Sequence, residues 1–103
     1  MPATTVDLAR DGDIVTLTLD RPDAANAIDL RLATDVLAAA ERCAADPGIR
    51  AVVLTGRGRM FSGGGDVPAF AGAGERAGEM LRDITTPLHA AIALFARMDA
   101  PLV

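Results

Sequence analysis

A chain of 103 residues with a net charge of −4 and half of its residues hydrophobic has room for one small domain, and it is not a disordered acidic tail. All ten basic residues are arginines, which excludes a Walker-type phosphate loop and Schiff-base chemistry, since both need lysine. The arginines are scattered and the pI is about 4.7, which argues against a nucleic-acid partner, and no run reaches the ~18 apolar residues of a membrane span.

Residues 13–20 alternate, with Val15, Leu17 and Leu19 on one face and Ile14, Thr16 and Thr18 on the other, which predicts a half-buried strand. Residues 4–9 are its expected hairpin partner across Arg10-Asp11-Gly12, and Pro22 ends the pair. A helix follows with Asp29 as N-cap and an apolar stripe of Leu30, Ala33, Val36, Leu37, Ala40, Cys43 and Ala44, stopped by Pro47-Gly48. Residues 49–55 contain the unbroken run Ala51-Val52-Val53-Leu54, which suggests a strand covered on both faces.

After the glycine-rich stretch 56–65, residues 66–70 form a short helical turn and residues 71–74 a loop. A second long helix is expected over 75–98, with Leu81, Ile84, Leu88, Ile92 and Phe95 on one face. Pro87 should kink it or restart it behind a Thr86 cap. The closing Pro101-Leu102-Val103 looks like a strand just beginning, so the sequence reads as one cut short.

The glycine stretch is where the chemistry would be, although a bare glycine cluster can also be a turn that only joins two elements. A dinucleotide fingerprint would need glycine where Phe61 stands, and the match follows a later strand rather than the first. What remains is a strand feeding glycines into a helix N-terminus, where unpaired backbone N–H groups suit an anion or a developing oxyanion. Gly63, Gly64 and Gly65 would let a ligand reach the backbone without meeting a side chain.

Three segments in order carry a family resemblance. Residues 14–22 followed by Ala25-Asn26-Ala27 are similar to an opening strand and "RP…NA" turn, residues 50–56 to "R-x-V-V-L-T-G", and residues 61–67 to "F-S-x-G-x-D-L". Together they resemble the N-terminal part of the enoyl-CoA hydratase/isomerase (crotonase) family, over nearly the whole chain. The resemblance implies an α/β fold, the first ββα units of a crotonase-like spiral, with residues 1–103 as the N-terminal portion of an acyl-CoA-binding domain. It implies acyl-CoA thioester substrates and an enolate held by two backbone N–H groups, with CoA as part of the substrate and no separate cofactor. It also implies a homotrimer or hexamer at full length.

By position the first donor is Gly65. Gly63, Gly64, Gly65, Asp66 and Val67 would line the thioester arm, and Ala25 and Ala27 would lie near the adenine-pantetheine portion. Gly63 stands where the family often has alanine. The second donor and the hydratase carboxylates would follow the strand that starts near Pro101, so the 103 residues alone are expected to be inactive. The other reading is a non-catalytic crotonase-like binding module, or a chain completed by a second polypeptide.

Other candidates have simpler roles. Asp66 reads as a helix cap before a base, and His89 as a surface or satisfied histidine. Asp20 with Asp23 reads as a turn, and Glu75 with Glu79 as a solvated helix face. No cluster has metal-ligand spacing. Cys43, the only cysteine, allows no internal disulfide and reads as a buried small hydrophobe, which with the lack of a signal peptide predicts a cytoplasmic setting. Met80, Leu81 and Ile84 are expected to line part of an acyl pocket.

Overall fold

In the computed structural model, which describes residues 4–103, the chain opens with a hairpin of β1 (Val6–Asp11) and β2 (Ile14–Leu19). The strands pair antiparallel, Val6 opposite Leu19 and Asp11 opposite Ile14. The first strand therefore starts and ends two residues later than 4–9, and the turn is Gly12-Asp13. Gly12 has φ +64, and a left-handed glycine at the first position of a two-residue loop gives the twist that the flanking strands need.

The next strand, β3 (Ala51–Gly56), lies parallel to β2, so the sheet order is β1-β2-β3. Parallel neighbours need a crossover, and α1 (Leu30–Ala45) supplies it. The Asp29 carboxylate accepts the Leu32 N–H at 2.8 Å, the expected cap. The helix ends at Ala45, and Asp46 then accepts the Gly48 N–H at 2.8 Å.

The apolar stripe of α1 is turned relative to the expectation. Leu32, Ala33, Val36, Ala39, Ala40 and Cys43 are buried, while Leu30 and Ala44 are exposed and Leu37 is half-buried. Leu30, Leu37 and Ala44 are seven residues apart and fall along one edge of the stripe, which centres between the sheet and a second helix.

That helix is α3 (Ala77–Arg97), preceded by α2 (Val67–Ala73) and a 3-10 turn at Gly74–Arg76. The expected loop at 71–74 is absent, because helix runs to Ala73 and only Gly74, at φ +59, turns the chain. Helix α3 passes through Pro87 as one element. Thr86 does not cap a restart; its hydroxyl bonds back to the Arg82 carbonyl at 2.9 Å. Ile84, Ala91 and Phe95 are its buried residues, whereas Leu81 and Ile92 of the expected face are exposed.

The core lies where α1 and α3 meet one face of the sheet, around Val15, Leu17, Leu32, Val36, Val52 and Phe95. On β3 only Val52 is buried, with Ala51, Val53 and Leu54 half-buried and Thr55 exposed, so the expected two-sided cover is partial. The chain then extends the sheet. Val52 donates to the Pro101 carbonyl at 2.9 Å and Val103 to the Val52 carbonyl at 2.8 Å, a parallel pairing where a beginning strand was expected. An apolar groove of about 540 Å³ runs between sheet and helices, lined by Leu19, Leu32, Leu54, Leu88 and Phe95 and rimmed by the exposed Phe61 and Ile92. No helix among the described residues is long and apolar enough to cross a membrane.

Candidate functional site

The site is a turn docked on a loop. After β2, Pro22–Ala24 form a 3-10 turn, and Ala25 and Asn26 follow with φ of +53 and +52. Left-handed backbone suits Asn and is unusual for Ala, so outside contacts must hold this pair. The Asn26 N–H donates to the Arg21 carbonyl at 2.9 Å, and the Arg21 N–H donates to Asn26 Oδ1 at 2.7 Å. Asn26 is fully buried, and its Nδ2 donates to the carbonyls of Arg57 (3.0 Å) and Met60 (2.9 Å) in the glycine loop.

The loop answers with its own bonds. The Gly63 N–H donates to the Ala25 carbonyl at 2.8 Å, and the Ser62 hydroxyl to the Asn26 carbonyl at 2.8 Å. Ser62 Oγ also accepts the Gly64 N–H at 3.1 Å. The Ile28 N–H donates to the Gly64 carbonyl at 2.7 Å, and the Asp66 N–H to the Ile28 carbonyl at 3.1 Å. These last two bonds form a one-residue parallel bridge between Ile28 and Gly65.

In such a bridge the central residue turns its own N–H and C=O away from the partner. The N–H groups of Gly63, Gly64 and Asp66 are therefore spent within the fold. That of Gly65 has no acceptor among the described residues, and neither has that of Val67 at the first helical position of α2.

The glycines have distinct reasons. Gly64 has φ +90. A Cβ on Gly56 would lie 2.3 Å from the Phe61 carbonyl oxygen, so the loop folds directly onto that residue. A Cβ on Gly65 would meet the Phe70 ring at 2.8 Å.

The structure thus brings Ala25, Ala27, Gly63, Gly64, Gly65, Asp66 and Val67 into one neighbourhood. Asp66 caps α2 by accepting the Ala69 N–H at 3.2 Å, and it faces the Arg21 guanidinium at 3.4 Å. The same guanidinium lies 3.5 Å from Asp29 and donates to the Ala27 carbonyl. An aspartate so engaged is a structural anchor rather than a free base.

The remaining candidates lie apart. His89 is exposed on α3, Asp20 pairs with Arg57 at 2.8 Å, and Glu79 lies 3.6 Å from Arg76. Cys43 is buried, which pushes its thiol up from its ordinary pKa and keeps it a hydrophobe. No group of three His, Cys, Asp or Glu residues among the described residues is placed to hold a metal. Of Met80, Leu81 and Ile84, the structure places Met80 and Ile84 beside a separate cavity of about 380 Å³, with Asp29, Arg31 and Ala69 on its other side.

Sequence reasoning missed Arg21, Asn26 and Ser62 as parts of this site. The available signal was position: Arg21, Asn26 and Ser62 all stand inside the segments that carry the resemblance.

The enoyl-CoA hydratase/isomerase family matches residues 9–98. A Thermus thermophilus protein assigned as an enoyl-CoA hydratase is 43% identical over 56 residues, 54% of this chain and 22% of that protein. Another so assigned, EchA14 of Mycobacterium tuberculosis, is 37% identical over 71 residues, 68% of this chain and 28% of that one. The crystal structure of an enoyl-CoA hydratase/carnithine racemase from Magnetospirillum magneticum superposes with a TM-score of 0.84 at 29% identity, covering 98% of this chain and 38% of that one. The chain thus spans less than two fifths of each of these relatives, and its α/β architecture is the beginning of the crotonase-like fold. With the match running from β1 to the end of α3, the chain belongs to the enoyl-CoA hydratase/isomerase family.

Proposed function

We propose that this chain is the CoA-binding N-terminal part of an enoyl-CoA hydratase or isomerase acting on acyl-CoA thioesters, with the Gly65 N–H as one donor of its oxyanion hole. The observation that carries this reading is the unspent N–H of Gly65 between three loop N–H groups that are already bonded. A thioester enolate places its charge on one oxygen, and losing one donor to such an oxygen costs about 2.7–4 kcal/mol of transition-state stabilisation. A main-chain donor held by bonds on both sides needs no reorganisation as charge develops.

In this reading Gly63, Gly64, Asp66 and Val67 line the thioester arm, and Ala25 and Ala27 lie near the adenine-pantetheine portion. CoA is part of the substrate and no separate cofactor takes part. The assembly is a homotrimer or hexamer in the cytoplasm. The second donor and the acid/base carboxylates are not among these 103 residues, so the chain alone does not hydrate crotonyl-CoA. The open apolar groove rimmed by Phe61 and Ile92 favours a core completed by further polypeptide, the variant of this reading in which activity needs both parts.

Amide NMR of the chain titrated with acetyl-CoA tests the assignment. The Gly65 proton should move downfield further than those of Gly63, Gly64 and Asp66. A Gly65 resonance that stays put while acetyl-CoA binds would remove the donor. Crotonyl-CoA hydration by a pure 103-residue sample would overturn the division of the active site.

A further inference from the structure

We infer that Asn26 is a positioning residue for the Gly65 N–H: its buried side-chain amide locks turn 21–28 onto loop 57–62, and that turn grips the peptide groups on both sides of Gly65. The inference rests on the acyl-CoA reading and adds what aims the donor.

The geometry runs through one peptide plane. In a trans peptide the C=O of Gly64 and the N–H of Gly65 point in opposite directions. The Ile28 N–H holds the Gly64 carbonyl at 2.7 Å, so it fixes the direction of the Gly65 N–H as well. The Gly64 N–H is tied to Ser62 Oγ, and that hydroxyl is tied to the Asn26 carbonyl. Beyond Gly65, the Asp66 N–H is tied to the Ile28 carbonyl. Every one of these restraints starts from the segment 26–28, and that segment is held against the loop by the two bonds from Asn26 Nδ2.

Asparagine is the residue type that meets the demands at this position. The backbone is left-handed at φ +52, which Asn tolerates. The side chain must accept one bond and donate two within a sealed space. Aspartate has the shape but no donors when ionised, glycine has the backbone freedom but no side chain, and serine has a single donor.

Calorimetry with CoA and acetyl-CoA on the full chain separates aiming from folding, because only acetyl-CoA has the thioester carbonyl. The wild type should bind acetyl-CoA about tenfold more tightly than CoA, the worth of one well-aimed hydrogen bond. Asn26→Asp sets a carboxylate against two carbonyl oxygens and turns the plane. It should cut that preference to about twofold, whatever CoA affinity the variant retains.

A merely structural role would weaken both ligands in proportion, and a preserved tenfold preference in Asn26→Asp would overturn the proposal. Equal wild-type affinities would remove the donor itself, and the acyl-CoA reading with it. If Asn26→Asp gives no cooperative melt, Ser62→Ala carries the test, because it leaves the Asn26 side-chain amide bonded and frees the Gly64 N–H and the Asn26 carbonyl. It should reduce the preference about threefold, and an unchanged preference there would overturn the proposal equally.

Discussion

Where α1 and α3 meet the sheet, Leu17, Leu32, Ala33 and Val52 are sealed from water; where turn 21–28 meets loop 56–66, the sealed side chain is Asn26, the one buried polar residue among those described. The first region is held by area removed from water, a force without direction. The second is held by bonds of 2.7–3.1 Å with defined donors and acceptors. The difference teaches a division of labour: apolar burial makes the chain compact, and directional bonds determine which way individual peptide planes face.

The contrast can be broken hardest in the apolar region. Leu17→Ala removes a fully buried side chain of the central strand and should cost about 2–5 kcal/mol, read as a lowered midpoint in urea. Its effect on ligand preference should be nil in whatever fraction stays folded. Gly64→Ala acts the other way round. A Cβ there meets nothing within 4 Å, but φ +90 is costly for any L side chain, about 1–3 kcal/mol. Part of that strain is relieved by turning the 64–65 peptide, so Gly64→Ala should lose stability modestly and its preference for acetyl-CoA over CoA strongly. Equal losses of the two ligands would show that loop and core are one mechanical unit.

The smallest effect sharpens the comparison at a site that belongs to neither region. The Gly48 N–H and the Arg10 guanidinium hold the Asp46 carboxyl below its ordinary pKa. A depressed folded-state value contributes stability above the unfolded value, and that contribution is lost as pH falls through the folded one. Asp46→Asn should therefore lower the melting temperature slightly at neutral pH, and its difference from wild type should vanish as pH falls through the carboxylate range. A melting temperature identical to wild type at neutral pH would show the exposed cluster to be idle.

What was legible in the sequence was local. The β2 alternation, the Asp29 cap and the capping role of Asp66 follow from neighbours a few residues away, and they stand in the structure. The register of the α1 stripe was not legible, because two partners cover the helix and the sequence marks neither. Residues 71–74 read as loop from their glycines, yet helix reaches Ala73, since isolated glycines weaken a helix without ending it.

At the site, Gly63 to Asp66 stood out by composition. Asn26 did not, because its partners lie 31 and 34 residues away and its neighbours are alanines. The left-handed Ala25 carries no signal at all, since alanine is not a turn former and only the finished contacts hold it there.

The unspent N–H at Gly65 belongs to the main chain, and every residue except proline would supply it. Whatever this group serves is written in the path of the chain and not in the letter at that position. Selection on it would act at a distance, through the residues that bend the path, while the letter at 65 answers to a different demand, the Phe70 ring 2.8 Å from where a Cβ would stand.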